Sequence, residues 1–412
     1  MSDEARQTGP VGRRERIDLL DALRGFAILG ILLGNMAVFS GLLLADLAGD
    51  DPGFPHATAD RAIDFLVHLL VEGKFYGTFS LLFGVGFALQ LARTDALGRP
   101  FASFFRRRMA FLLLFGVVHA LVWAGDILWL YAVVGFALIP FRRCRDRTLL
   151  VWIVALLAAP IVIYGLLALL IARSGGTPGD GGAGLEEMFA AIVVAFDAGG
   201  FRDVFDANLR FLLLGRLPNL IVTGRPLIVL AMFLVGFYLG RRRVFDGSAE
   251  HRVLLRRVLL IGASVGPVTN LVLAALMDAG VYYSFQAAGF AQSVAYQIGV
   301  PSLCLFYVAG FALLFEPDVW RRRLMILAPV GRTALSNYIL QTVVCILIFY
   351  EVGLGLMGEL GATAATALVF VIYPLQIVVS RWWLARFRFG PLEWVWRSLT
   401  YGKVQPIHGP VR

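Results

Sequence analysis

The sequence places a histidine and an aspartate on either side of a short polar turn. His119 lies in FGVVHALVW, and Asp126 follows in AGDILWLY. A carboxylate that orients one imidazole nitrogen leaves the other free to accept a proton, as a general base requires. A structural histidine and a helix-capping aspartate are the alternative explanations. We predict His119 as the catalytic base and Asp126 as its orienting partner.

Lys74 lies within the apolar stretch HLLVEGKFYGTFSLLFGVGF. An ionised group at membrane depth costs a few kcal/mol, so it needs a partner or a function. Glu72, two residues earlier, offers an interfacial ion pair at the start of a helix. The alternative is that Lys74 stabilises a developing oxyanion during catalysis. Gly73 and Gly77 predict a break in the helix here.

The first apolar stretch carries three further polar groups. Asp21 and Arg24 are three residues apart, so they lie on one face of a helix, where they either pair or bind an anionic group. Asn35 lies about 26 Å from Asp18 along the helix, in the outer third of a bilayer. All three are candidate substrate-binding residues, together with Glu72.

Helix geometry predicts a common depth for four of these groups. Lys74 lies about 27 Å from Ala92 along its helix, and His119 lies about 22 Å from Phe104 along the next. Both depths are comparable with that of Asn35. A tight turn at Gly125 returns Asp126 to the depth of His119. These groups from four helices predict a polar cavity beneath the outer surface.

A polar stripe opens a late helix at spacings of three to five residues. Arg332, Asn337 and Gln341 belong to it and are further substrate-binding candidates. Hydrogen bonding between helices is the alternative explanation for the stripe.

The elements that must position these residues are long and apolar. Hydrophobic residues make up 59% of the 412, and only 16% are charged, whereas soluble domains carry about a quarter. Apolar windows of about 20 residues predict an all-α integral membrane bundle of about ten transmembrane helices. Their ranges are 18–45, 62–92, 104–123, 127–141, 149–172, 226–240, 253–277, 291–315, 334–350 and 362–382.

The distribution of basic residues predicts the orientation. Of the 37 lysines and arginines, 29 fall in one set of alternating connections and six in the other. Positively charged loops stay in the cytoplasm, so we expect both termini there, in a multi-pass protein of the cell (inner) membrane. The predicted divisions are a basic tail 1–17, a five-helix half 18–172, an extracytoplasmic loop 173–225, a five-helix half 226–385 and an interfacial tail 386–412.

The net charge and the cysteines argue against a nucleic-acid partner and against a metal site. The net charge is +9, and all but two of the 37 basic residues are arginines. This indicates membrane lipids rather than nucleic acid. Cys144, Cys304 and Cys345 are far apart without a CxxC pair, so we predict no metal site.

Several segments together resemble a known family. They are LDALRGFAILGILLGN, EGKFYGTFSLLFGVGF, RRRMAFLLLFGVVHALVWAGDILWLYAVVGF, GRTALSNYILQTVVCILIFY and FRFGPLEWVWRSLTYG. They are similar to the YeiB-like membrane proteins, domain-of-unknown-function family 418, over nearly the whole chain outside 173–225. The opening LDALRGFAILGI also resembles heparan-alpha-glucosaminide N-acetyltransferases and related acyltransferases that use acyl-CoA. The resemblance implies a transmembrane acyltransferase, with 18–172 as its acyltransferase-like half.

The resemblance also implies site residues. The recurrent family positions fall on Asp21, Arg24, Lys74, His119, Gly125, Asp126, Tyr131, Arg332, Asn337, Gln341, Gly390, Pro391, Glu393 and Trp394. This adds Tyr131 to the substrate-binding candidates. The acetyltransferases carry their active histidine between the first two helices, where this chain has only His56 in PHATAD. The depth argument favours His119, with His56 as the fallback.

Two functions follow as expectations. In the first, a cytoplasmic acyl-CoA docks near Arg24, and its acyl group passes to a hydroxyl or amine of an extracytoplasmic glycan or lipid-linked acceptor, without a metal. In the second, the protein transports a small anion or lipid, with Lys74 and Arg24 as ligands and His119 as a proton relay. The absence of an obvious inverted repeat counts against transport. A scaffold for envelope complexes is a third alternative.

Overall fold

The computed structural model describes residues 18–43, 56–98, 100–173, 200–279 and 286–408. The regular structure in these ranges is helical, apart from a single bridge between Phe387 and His408. The predicted basic tail 1–17 and residues 174–199 of the predicted extracytoplasmic loop lie outside the described residues.

The helices up to residue 173 lie close to the predicted apolar windows, and two further helices lie in the predicted loop 173–225. They are α1 (Asp18–Phe39), α2 (Ala57–Leu70), α3 (Lys74–Ala96), α4 (Phe101–Val122), α5 (Leu128–Leu138), α6 (Asp146–Arg173), α7 (Phe201–Arg210) and α8 (Leu217–Val222). A 3-10 turn, Ile139–Arg143, follows α5, and a π-helical turn, Phe211–Arg216, joins α7 to α8.

The remaining helices include two pairs that bend sharply. They are α9 (Arg225–Arg241), α10 (Ala249–Asp278), α11 (Ala287–Leu314), α12 (Asp318–Leu324), α13 (Ala328–Arg332), α14 (Ala334–Phe349), α15 (Ala362–Arg386) and α16 (Pro391–Tyr401). The chain bends by 59° between Arg202–Val222 and α9, and by 77° between Asp318–Arg332 and α14.

The described chain has six helices that are long and apolar enough to cross a membrane, or up to eight when each bent pair counts as one span. It is therefore a multi-pass membrane protein, but the ten separate spans are not confirmed. In α4, every 18-residue window includes the three consecutive arginines Arg106, Arg107 and Arg108. α5 has 11 residues, about 16 Å, and is too short to cross a 30 Å hydrocarbon core.

The predicted break in the second apolar stretch is present. α2 ends at Leu70 and α3 begins at Lys74, with Gly73 between them at φ 82°. This left-handed conformation is accessible to glycine without the steric cost that a Cβ imposes. The break places Lys74 at the start of a new helix.

Helices from the two predicted halves of the chain pack against each other. α3 packs along α9, and α1 packs along α13. The contact between α1 and α13 is backbone to backbone, because a Cβ on Gly25 would overlap the carbonyl group of Leu327, and a Cβ on Gly331 would overlap that of Asp21. This close approach lets the Arg24 guanidinium reach the carbonyl oxygen of Gly331, the residue before Arg332.

The arginine-rich connections meet at one end of the bundle, which we call the basic end. Ion pairs and a hydrogen bond join them: Arg241 with Asp146, Arg252 with Glu316, Arg321 with Asp18, and the Trp396 indole with the Arg108 carbonyl. This grouping agrees with the alternation on which the orientation rests. The cytoplasmic location of the basic end stays a prediction.

Candidate functional site

His119 and Asp126 are in direct contact. His119 lies in the last turn of α4, and Asp126 lies in the turn that leads into α5. The Nδ1 atom of His119 is 2.7 Å from Oδ1 of Asp126. The other carboxylate oxygen accepts a hydrogen bond from the Trp129 backbone N–H at 3.1 Å. Asp126 therefore both caps α5 and fixes the imidazole.

A third side chain completes the arrangement. Nε2 of His119 is 3.0 Å from the Thr342 hydroxyl, on α14. Because an ionised carboxylate only accepts hydrogen bonds, Asp126 assigns the proton to Nδ1 of His119. Nε2 is then an acceptor, and Thr342 donates to it. The imidazole is thus held in the form that removes a proton from a hydroxyl group.

The three groups are withdrawn from solvent. His119 is 6% exposed, Asp126 and Thr342 1% each. The imidazole packs against the ring of Tyr338, with centroids 5.3 Å apart. In such surroundings, hydrogen bonds and charges act more strongly than they do in water.

A cavity of about 290 Å³ runs from the basic end towards this group. Its mouth is lined by charged side chains: Asp21, Arg24, Arg108, Arg332, Glu393 and Arg397. The mouth has four guanidinium groups and two carboxylates, so its charged groups favour binding of an anion. The volume is at the lower limit for pockets that bind small molecules.

The wall of the cavity is apolar and its inner end is formed by tyrosines. Phe79, Phe83 and Phe87 of α3 line the wall, and Tyr131 and Tyr338 line the deeper part. The Tyr131 hydroxyl donates to the Tyr76 carbonyl at 2.6 Å, which fixes its ring. Tyr338 therefore borders the cavity on one side and contacts His119 on the other.

Short contacts between α1 and α13, and between α4 and α16, organise the mouth. Arg24 pairs with Asp21 at 2.8 Å and also contacts the Gly331 carbonyl oxygen at 3.4 Å. The guanidinium of Arg108 stacks over the Trp396 ring, 3.6 Å from its centroid. Aromatic stacking orients an arginine without neutralising its charge.

Glu393 joins the mouth to the helix that carries Thr342. Its carboxylate accepts hydrogen bonds from the backbone N–H groups of Leu335 and Ser336, at 2.7 and 3.1 Å. It thereby satisfies donors in the first turn of α14. Burial raises the pKa of Glu393 above its ordinary value, although these hydrogen bonds oppose the increase.

Lys74 lies at the first residue of α3 and does not line this cavity. Its side chain is fully buried, and its amine donates to the His68 carbonyl oxygen at 2.6 Å. This carbonyl belongs to the last turn of α2, so the lysine caps the C-terminal end of that helix. Glu72 lies 3.6 Å from Nε2 of His68. Within the described ranges, no hydrogen bond or ion pair joins Lys74 to His119 or Asp126.

The remaining candidates are spread over the bundle. Asn337 donates to the Ser380 hydroxyl at 2.9 Å, and Gln341 donates to the Gln376 side chain at 2.9 Å, so both join α14 to α15. Asn35 is half-buried on α1, His56 is exposed at the start of α2, and neither lines the cavity. Arg332, Arg24, Asp21 and Tyr131 line the cavity, whereas His119 and Asp126 lie beyond Tyr338.

Thr342 and the arginines Arg108 and Arg397 are not among the site residues predicted from the sequence. Thr342 follows Tyr338 by four residues, so helical spacing puts both on one face of α14. The spacing could therefore have predicted that Thr342 and Tyr338 share a face, but it does not predict that Thr342 contacts His119. Arg108 and Arg397 are 289 positions apart in the chain and meet only because α16 packs on α4.

The described residues contain no cluster of three His, Cys, Asp or Glu side chains able to hold a metal ion. The groups suited to a cofactor are the arginines at the mouth of the cavity, which would hold its anionic part.

Comparison with known proteins identifies the family. The model of the family described as "Protein of unknown function (DUF418)" matches residues 239–403. "Uncharacterized protein YxaH" of Bacillus subtilis (strain 168) is 32% identical over 409 residues, 97% of each chain. "Uncharacterized protein YeiB" of Escherichia coli (strain K12) is 32% identical over 95% of this chain and 98% of its own. "Uncharacterized 39.9 kDa protein in amylase 3'region" of Bacillus acidopullulyticus is 28% identical over 97% of both. No solved structure matches the chain.

The resemblance to the YeiB-like proteins is thereby confirmed, while the relation to the acetyltransferases stays a prediction. This chain belongs to the DUF418 family of YeiB-like membrane proteins.

Proposed function

We propose that this protein transfers an acyl group from acyl-CoA to a hydroxyl or amine acceptor. One observation carries the proposal: Tyr338 separates a cavity with an arginine-lined mouth from an imidazole that is oriented as a general base. An anion-binding mouth, an apolar passage and a buried base are the parts that transfer from an anionic thioester requires.

The donor would occupy the cavity with its charged part at the mouth. Arg24, Arg108, Arg332 and Arg397 would contact the CoA phosphates, since guanidinium groups match phosphate geometry. The phenylalanines of α3 would surround the pantetheine arm and a short acyl chain. The nucleotide would stay outside, because about 290 Å³ is too small for the whole of CoA.

Transfer requires the thioester to meet the acceptor beside His119. The acceptor hydroxyl takes the position of the Thr342 hydroxyl at Nε2 and loses its proton to the imidazole as its oxygen bonds to the thioester carbon. The carbon–sulfur bond breaks, and the imidazolium returns the proton to the CoA thiolate. The products are an acylated acceptor and CoA, and Asp126 stabilises the transient imidazolium.

The contacts of Lys74 favour this proposal over transport. Transport uses Lys74 as a substrate ligand, and one of the three N–H groups of its amine already donates to the His68 carbonyl oxygen. Because this contact holds Lys74 at the end of α2, we assign the oxyanion to other groups. Tyr338, between the cavity and His119, is the nearest candidate for that role.

The experiment is a donor-binding and transfer assay on the purified full-length protein in detergent micelles. We expect CoA to bind more tightly than pantetheine, which lacks the nucleotide phosphates. Arg24→Gln and Arg332→Gln should each reduce that preference about tenfold. Arg256→Gln, an exposed arginine on α10 outside the cavity, is the matched control and should leave it unchanged.

Transfer is then followed with radiolabelled acetyl-CoA and envelope extracts. Label should pass to a glycan or lipid fraction, and CoA thiol should be released in equal amount. Equal affinity for CoA and pantetheine together with no transfer of label would remove the proposal. Uptake of an anion into proteoliposomes without any acyl donor would favour the transporter.

A further inference from the structure

The buried face of α7 is apolar except for one asparagine. Val204, Ala207 and Asn208, with Phe211 just beyond the helix, follow helical spacing and are all buried. The side chain of Asn208 is 1% exposed. Burying an amide costs free energy unless its polar groups are hydrogen-bonded, whereas an apolar residue of the same size carries no such cost. Packing alone therefore does not explain an asparagine at this position.

The Asn208 amide forms hydrogen bonds with the backbone of the turn that joins α4 to α5. Its Oδ1 accepts from the Ala124 N–H at 3.0 Å, and its Nδ2 donates to the Val122 carbonyl oxygen at 2.8 Å. These partners fix the orientation of the amide, because the reversed amide would place donor against donor and acceptor against acceptor. One side chain thus holds the backbone on both sides of Trp123.

The two backbone groups belong to a stretch that cannot pair them by itself. Val122 is the last residue of α4, so its carbonyl oxygen has no partner within that helix. Trp123 is extended, with φ −147° and ψ 110°, and Ala124 is buried. The turn forms its own backbone hydrogen bond from the Asp126 N–H to the Trp123 carbonyl oxygen, at 3.2 Å. The Val122 and Ala124 groups are left to Asn208.

This turn sets the distance between the imidazole and its carboxylate. His119 lies three residues before Val122, and Asp126 lies two residues after Ala124. A displacement of about 1 Å in a catalytic group can lower a rate about 100-fold. We propose that Asn208 is a positioning residue for acyl transfer, which keeps Asp126 in contact with His119 by bonding the turn between them. The assignment rests on the proposed function, and Asn208 acts only through the turn.

The proposal gives the predicted loop 173–225 a part in the site. α7 lies within this loop, and the π-helical turn that follows α7 also approaches the turn at Trp123: Nη2 of Arg216 lies 3.5 Å from the Gly125 carbonyl oxygen. Asn208 does not line the donor cavity. Its replacement should therefore change the chemical step and leave binding of the donor unaffected.

The first test is steady-state transfer from acetyl-CoA by full-length variants in detergent micelles. Asn208→Leu removes both hydrogen bonds at similar volume, and we expect kcat to fall about tenfold while the KM for acetyl-CoA stays within about twofold of wild type. Asn208→Asp should lose less, because an ionised carboxylate still accepts from Ala124 but cannot donate to Val122. Where Asn208→Leu does not fold, Asn208→Asp is compared with wild type.

The matched control is another buried asparagine. Asn270 is 0% exposed on α10, and its amide donates to the Gly266 carbonyl oxygen of the same helix at 2.8 Å. Asn270→Leu should lower thermal stability as Asn208→Leu does, but it should keep the wild-type kcat. An equal loss of kcat in both leucine variants would mean that buried asparagines act on stability alone, and would overturn the proposal.

The second test reads the imidazole directly and needs no transfer. Nitrogen NMR of protein labelled with ¹⁵N-histidine reports the tautomer of His119, whose signals are those missing from His119→Ala. Wild type should carry the proton on Nδ1, and the Asn208 variants should show a mixture of both tautomers. A wild-type tautomer or a wild-type kcat in the Asn208 variants would overturn the proposal. A mixed tautomer in the variants without any transfer by wild type would remove the enzyme and leave the positioning of Asp126 standing.

Discussion

The Nδ1 atom of His119 lies 2.7 Å from the Asp126 carboxylate, and Nε2 of the same ring accepts a hydrogen bond from Thr342. The contact joins two consecutive helices across a turn of five residues, so it forms wherever α4 and α5 fold as a hairpin. It sets the tautomer, and with it the direction in which a proton can move.

Replacement of His119 by alanine should abolish catalysis without unfolding the protein. A positioned general base contributes a factor of about 10²–10⁴ to a rate, so we expect a loss of at least 100-fold in acyl transfer. The measurement is release of CoA from acetyl-CoA in the presence of the acceptor. His56→Ala is the matched control and should keep wild-type activity. The opposite pattern would transfer the catalytic role to His56.

Asp126→Asn should lower kcat by about 100-fold and leave the KM for the donor unchanged. The amide cannot stabilise the imidazolium with a negative charge, while the arginines that bind the donor are untouched. Steady-state kinetics at saturating acceptor separate the two constants. A rise in KM with constant kcat would mean that Asp126 acts through the structure of the turn alone.

Lys74→Met should destabilise the protein without affecting transfer. The substitution leaves the buried His68 carbonyl oxygen unsatisfied, which costs about 1–3 kcal/mol. We expect lower thermal stability and activity within about threefold of wild type. Lys403→Met, at the exposed second lysine, is the control. Loss of activity in a variant of wild-type stability would restore Lys74 to the chemistry.

Gly86 tests whether the cavity holds the donor. It lines the cavity, and an added Cβ there would meet no atom within 4 Å. Gly86→Ala should therefore be stabilising by about 0.5–1 kcal/mol, because alanine favours the helix. Gly86→Leu should fill the cavity and reduce affinity for acyl-CoA at least tenfold. Unchanged donor affinity in the leucine variant would place the donor elsewhere.

Glu393→Gln should make stability less dependent on pH. Burial raises the pKa of Glu393 above 4.5, so the folded protein holds this proton more tightly than the unfolded chain does. The resulting stability is complete below pH 4.5 and is lost as pH rises through the raised pKa. Thermal unfolding between pH 4 and 8 should show a flatter profile for Glu393→Gln than for wild type. Glu359→Gln, at an exposed carboxylate, should keep the wild-type profile.

Local patterns were sufficient for the parts of the structure that depend on neighbours in the chain. Hydropathy predicted the membrane-spanning character of the six long helices, and glycines predicted the break before Lys74. The contact between His119 and Asp126 followed from a short turn, since two helices joined so closely have few ways to pack.

Depth along a helix was a weaker guide, because it leaves the direction of a side chain undetermined. Lys74 and His119 were correctly placed within apolar helices, but the rotation of α3 sends the lysine to the end of α2. The ten predicted spans are not confirmed for a related reason. A window of apolar residues does not distinguish a crossing helix from a short or bent one, such as α5 or α8–α9.

The amino-acid sequence by itself determined the membrane environment, the segregation of arginines and the hairpin that joins the imidazole to its carboxylate. These depend on composition and on contacts within a few residues. Only the tertiary structure decided that Thr342 contacts His119 and that the arginines of α1, α4, α13 and α16 line one cavity mouth. These contacts join residues that are far apart in the chain. They depend on how the helices pack, which the spacing of residues along the chain does not determine.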